Sequence, residues 1–217
     1  MEDKDNVQLT PEADPTPVEA APADAAEMAK KAERIELLSK LTRRATSARM
    51  DLILIVALTV LNIVMIFAGT DRYFLFSASL PYYLTFFAML YTGNMSEGII
   101  DYAANGWTEA DFLPGGFLWA AIIFSLIVVG LYTVCFFASK SKKKLPDGTA
   151  EEHFFGGWII TATVLFAIDT LVYIAAMVLL FGFEASLLWD LAIHIYVFVT
   201  LIMGAVAAIK LEKLKKE

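Results

Sequence analysis

Five polar side chains interrupt runs that are otherwise apolar, and their spacing defines the chemistry on offer. Asp169 lies twelve residues into the run that opens at Gly157, about 18 Å along a helix and so near the centre of a bilayer. A carboxylate at that depth costs about 2.5–3.5 kcal/mol to insert, so it should face a bundle interior or carry a proton. Asn62 lies twelve residues after Met50, at matching depth if both runs enter from one side. Asp190 and His194 are four residues apart and share a helix face, as do Asp169 and Tyr173. Asn62, Asp169, Tyr173, Asp190 and His194 thus form a candidate intramembrane polar network that steps from midplane to one surface. It has two uses. A histidine and a carboxylate at this spacing suit a proton relay, since imidazole titrates near neutrality. The same groups suit interhelical hydrogen bonds that fix packing, typically below about 2 kcal/mol each. In that second case Asn at position 169 should preserve the fold, because it keeps an acceptor.

Other chemistry is scarce. The two histidines, His153 and His194, are expected on opposite sides of the membrane, there is no H-E-x-x-H, and Cys135 is the only cysteine. No metal site, cofactor or catalytic residue is therefore expected. Neither a phosphate-cradling glycine loop nor a serine nucleophile with a usable base is present, so the chain is not read as an enzyme. Cys135 is expected to be a buried, inert thiol. Glu151-Glu152-His153 reads as a hydrated loop, its acids placed to favour the start of the next helix.

The elements that must position these residues are transmembrane helices. Of 217 residues 58% are hydrophobic and 19% charged, against about 45–50% and about 25% in a soluble domain. This excludes a soluble enzyme and a nucleic-acid binder. Four runs are long enough to span, about 50–68, 117–138, 157–181 and 187–209. A fifth run, 73–91, carries Tyr73, Tyr82, Tyr83 and Tyr91 with Pro81 among them. Tyrosines suit a membrane interface, and Pro81 disfavours helix at Leu80. The run therefore reads as a re-entrant or interfacial helical hairpin, broken into two short helices. Ser77 and Ser79 are expected to satisfy the freed backbone groups.

Charge decides between four and five spans. With four, 16 of the 17 Lys and Arg fall on one side and Arg72 alone lies opposite; with five they split 8 and 9. The positive-inside rule selects four, with both termini cytoplasmic. The fold expected is an all-α integral membrane bundle of four transmembrane helices.

Around that membrane domain, 50–210, lie three further segments. Residues 1–28 hold eight acids, one base and four of the seven prolines, which accounts for the whole net charge of −7. A tail of this kind cannot bury enough apolar surface to order itself and is expected to be disordered. Residues 29–49 reverse the sign, and Met28, Ala32, Ile35, Leu38 and Leu41 recur at helical spacing, so a basic amphipathic juxtamembrane helix is expected. Residues 211–217 form a basic cytoplasmic C-terminus. The partner expected is the lipid bilayer itself, with Lys and Arg of 30–49 and 140–144 on anionic headgroups. A membrane protein partner or a second copy of the chain is also open. Between the last two spans a short loop, about Gly182–Ser186, implies an antiparallel pair.

The stretch Gly69-Thr70-Asp71-Arg72-Tyr73-Phe74-Leu75-Phe76-Ser77-Ala78-Ser79-Leu80-Pro81-Tyr82-Tyr83, just after a first span, resembles a segment of small uncharacterised bacterial multi-pass membrane proteins. The likeness covers the first span and this stretch, and implies a bacterial inner-membrane setting. It brings no activity or site residue. Two readings of function follow, a non-enzymatic scaffold or accessory subunit, and a small oligomeric proton-linked transporter or channel component using Asp169.

Overall fold

The computed structural model describes the backbone of residues 22–70, 74, 76–144, 150–176, 178–179 and 187–214. The chain divides into two compact units, Met1–Leu37 and Leu38–Glu217. In the first, residues 25–37 are helical and exposed, with Lys31 and Glu27 paired at 2.9 Å. Among the described residues, four helices are long and apolar enough to cross a membrane.

Helix α1 runs Pro22–Phe67. Proline opens it, an alanine-rich stretch follows, and no Gly or Pro occurs again before Gly69. Gly69 then ends it at φ +72°, a conformation that disfavours a side chain. Two expected boundaries are corrected here. Helix has already begun at Pro22, so residues 22–28 are not part of a disordered tail; the rest of that tail lies outside the described residues. Nor is 29–49 a helix separate from the first span, because nothing in the sequence breaks it at Met50. Leu41, Ala45, Ala48, Leu52 and Ile55 are all buried in one cluster, so the basic segment is packed through its C-terminal half.

Helix α2 is Ser79–Tyr91, about 20 Å long and too short for a roughly 30 Å hydrocarbon core. Residues 74 and 76–78 before it are not helical. The expected pair of short helices is corrected: among the described residues of 73–91 one helix forms, α2, and Phe74, Ser77 and Ala78 before it bond side chains of α1. Pro81 is in the first turn of α2, where its missing N–H costs nothing, and so begins a helix instead of dividing one. Tyr82 is buried, and the half-buried Tyr83 lies tilted against Tyr173 with ring centroids 6.1 Å apart. Tyr91, at the far end, is exposed; Tyr73 lies outside the described residues.

Helix α3 spans Gly116–Ala138, α4 Gly156–Ala176 and α5 Leu187–Leu214. The loop expected near Gly182–Ser186 lies outside the described residues. Gly156 meets Ile209 at one end of the α4–α5 pair and Tyr173 meets Asp190 at the other, so the two helices are antiparallel. Helix α5 continues past Ile209 because Leu211 is buried in the main cluster, so the C-terminus is helical as far as Leu214. The small residues Gly204, Ala205, Ala207 and Ala208 are buried, and a methyl on Gly204 would overlap that of Ala48. Small residues of this kind let the α1 and α5 backbones approach closely and pack by van der Waals contact.

The segment between α3 and α4 is corrected from hydrated loop to β-hairpin. Strand β1, Lys140–Lys144, pairs antiparallel with β2, Ala150–Phe154, setting Lys142 against Glu152 and Lys143 against Glu151. Cross-strand pairs of opposite charge favour this register. Lys140 also reaches Glu152 at 2.5 Å and holds its carboxyl below the ordinary glutamate range. The turn expected at Pro146-Asp147-Gly148 lies outside the described residues.

Candidate functional site

At the level where α2 begins, buried polar groups from four elements converge. Helix starts leave backbone N–H groups without partners, and burial makes each of them costly. Here every one is accounted for. The Ala78 N–H donates to Thr59 Oγ1 at 2.8 Å. Ser79 N–H donates to Asp169 Oδ2 at 2.8 Å and Leu80 N–H to Asp169 Oδ1 at 2.6 Å. Pro81 has no N–H to satisfy. Asp169, buried on α4, is thus a helix cap supplied from another helix, and its charge suits the positive end of the α2 dipole.

The non-helical limb is secured in the same way. Asn62 on α1 accepts the Phe74 N–H at 2.8 Å and donates to Phe74 O at 3.0 Å and Ser77 Oγ at 2.7 Å. Thr59 and Asn62 are three residues apart on one face of α1 and hold Ala78, Phe74 and Ser77 between them. Side chains of α1 and α4 thus take up backbone groups near the start of α2, where the sequence suggested Ser77 and Ser79.

His194 lies between the rings of Phe166 and Tyr173, with centroids at 5.2 Å and 4.9 Å. Its Nε2 bonds the Ser79 hydroxyl at 3.0 Å and its Nδ1 the Thr170 hydroxyl at 3.2 Å. Thr170 also donates to Phe166 O at 2.8 Å, so a neutral ring protonated on Nδ1 fits both contacts. The Tyr173 hydroxyl donates to Asp190 at 3.1 Å.

The five residues singled out from sequence are brought together, but through unexpected intermediaries. Asn62 and Asp169 do not bond each other; both bind the 74–80 segment. Asp169 and His194 meet through different atoms of Ser79. Tyr173 meets His194 face to face, with interplanar angle 1°, while its hydroxyl points to Asp190. A ring stack therefore joins His194 to Tyr173. Because both Asp169 oxygens accept N–H groups, an Asn there would turn an amide NH₂ toward a backbone donor.

Sequence reasoning missed several members. Asp51 accepts the Thr200 hydroxyl at 2.7 Å, joining α1 to α5. Arg49 donates to Ser139 Oγ at 2.8 Å and Phe136 O at 3.0 Å, placing a cation at the C-terminus of α3. Glu212 accepts the Gly156 N–H at 2.7 Å and caps α4 from α5. Charges near the ends of apolar runs were the available signal. Thr85 and Ser125 both donate to Pro81 O, at 2.8 and 3.1 Å, linking α2 to α3. Among the described residues, the buried Tyr132 hydroxyl has no hydrogen-bond partner. Cys135 is a buried free thiol. No group of three or more His, Cys, Asp or Glu among the described residues is placed to hold a metal ion.

Beyond the end of α2 an aromatic cluster organises residues 91–112. Trp107 packs on Tyr91, Tyr102 and Phe112 with centroids 5.5–5.7 Å apart. Tyr102 donates to Leu90 O at 2.9 Å, and burial pushes its phenol up from the usual value. No protein-family model matches the chain, and neither a curated protein nor a solved structure matches it.

Proposed function

We propose that the chain is a multi-pass protein of a bacterial inner membrane, with four spans, both termini cytoplasmic and residues 74–91 re-entering the bilayer from the outer side. Its role is that of a non-enzymatic scaffold or accessory subunit, which holds the outer segment 92–115 in a fixed shape for a membrane partner or a second copy. The lysines of 140–144 and the bases of 30–49 face anionic headgroups in this reading. The single observation that carries it is the engagement of both Asp169 oxygens by the start of α2. A carboxylate used as a helix cap is occupied structurally, and that supports a packing role over a proton relay.

Reconstituted vesicles with an internal pH dye test this. Wild-type protein, His194→Gln and protein-free vesicles should dissipate a pH gradient at the same rate. Faster dissipation by wild type, lost in His194→Gln, would overturn the scaffold reading in favour of the proton-linked transporter. Cysteine accessibility at position 105, in a Cys135→Ser background, tests the topology: labelling should occur from the outer side.

A further inference from the structure

At the end of α2 lies an open hollow of about 370 Å³, lined by Tyr91, Asn105, Gly106, Trp107 and Asp111. Two aromatic rings form a wedge there, their centroids 5.6 Å apart at an interplanar angle of 38°. Trp107 is held from behind by Tyr102 and Phe112 and is therefore fixed before any ligand arrives. Gly106, at φ +75°, makes the turn that presents it; its own side is open. Asp111 is fixed by the Thr108 N–H at 2.7 Å and hydroxyl at 2.8 Å, both donated to Oδ2. The hollow also adjoins the C-terminal, negative end of α2.

Among the described residues, the charged group that lines this hollow is the acid Asp111. A second hollow, of about 500 Å³, brings Glu97 and Asp101 to the neighbouring surface beside Tyr102. No Lys or Arg occurs in 50–139 except Arg72, and none in 145–209. The chain itself thus places almost no cation in the segments at this end of the bundle. A hard metal ion needs six or more oxygen ligands, and a lone carboxylate with ring faces does not provide them. Aromatic side chains beside one carboxylate are instead the recognition chemistry of an organic cation, which is drawn to the π-cloud and the counter-charge together.

We propose that the Tyr91–Trp107–Asp111 hollow is a binding site for an alkylammonium group. The group arrives as a free ammonium solute or as the headgroup of a neighbouring lipid, and the chemistry of the site is the same for both. This goes beyond the scaffold reading and does not depend on it, since a site of this kind binds whichever way the bundle is oriented.

The test uses the full chain with Trp119, Trp158 and Trp189, all exposed, replaced by Phe, so that Trp107 is the sole reporter. In detergent, tetramethylammonium chloride should change Trp107 emission saturably, and sodium chloride at equal ionic strength should not. Asp111→Asn and Tyr91→Leu should each weaken the apparent Kd by roughly fivefold to tenfold. Because Asp111 also anchors Thr108, Tyr91→Leu with an unchanged melting curve is the deciding variant. A response that does not saturate, that sodium reproduces, or that Tyr91→Leu leaves unmoved would overturn the site. Nanodiscs then assign the source. A response in phosphatidylglycerol that vanishes in phosphatidylcholine supports a headgroup occupant, and equal responses in both support a free solute.

Discussion

Asp169 and Ser79 stand 90 residues apart, yet Asp169 Oδ2 accepts the Ser79 backbone N–H at 2.8 Å, and its second oxygen takes the next N–H. The start of a short helix, which would be untenable in an apolar interior, is thereby made part of the core. The cap connects a buried acid on α4 to the start of α2.

This relationship predicts an order of stabilities. Asp169→Asn should lower stability by about 1–3 kcal/mol, since one backbone N–H then faces a donor. Asp169→Leu should cost more, because two buried N–H groups lose their acceptor. The backbone groups affected are those of Ser79 and Leu80. Thermal unfolding in detergent checks the order, and an Asn variant as stable as wild type would show that one oxygen suffices.

The contact of α1 with α5 predicts a compensating pair. Gly204→Ala should destabilise by about 1–3 kcal/mol, the usual cost of overfilling a close contact. Adding Ala48→Gly should restore most of the loss, because the overlapping methyl is removed. Additive losses in the double mutant would mean that the two helices do not meet at these residues.

For Tyr132 the expectation is the reverse of the usual loss. Its hydroxyl is buried without a partner among the described residues. Tyr132→Phe keeps the ring and removes an unsatisfied group, so the melting temperature should hold or rise. A fall of several degrees would reveal a partner for the hydroxyl.

The β-hairpin predicts a titration. The hydrogen bond from Lys140 lowers the Glu152 pKa in the folded chain. Ionised Glu152 therefore supports the hairpin above its unfolded value of ~4.3, and that support is lost as pH falls through the lower folded value. Carbon-13 NMR of the carboxyl should place its midpoint below that of an unperturbed glutamate in wild type and higher in Lys140→Met. Identical midpoints in the two proteins would count against the pair.

Much of this architecture is a property of the sequence by itself. Whether a stretch is long and apolar enough to cross a membrane depends only on local composition, and α1, α3, α4 and α5 follow from their apolar runs. The placing of Asp169 and His194 inside two of those runs is equally local, as is the inability of Pro81 to sit in mid-helix. What the tertiary structure decided is which groups these residues meet. One residue of shift along a helix turns a side chain by about 100°, and depth alone does not fix that angle. Depth matched Asn62 to Asp169, but the 74–80 segment came between them and took both. The α1 helix continues unbroken because no residue stops it, whereas residues 74 and 76–78 are not helical and Asn62 and Thr59 bond the backbone of Phe74 and Ala78 in place of helical turns. The hairpin of 140–154 was equally hidden: its lysines and glutamates look like a solvated loop until α3 and α4 bring the two strands side by side.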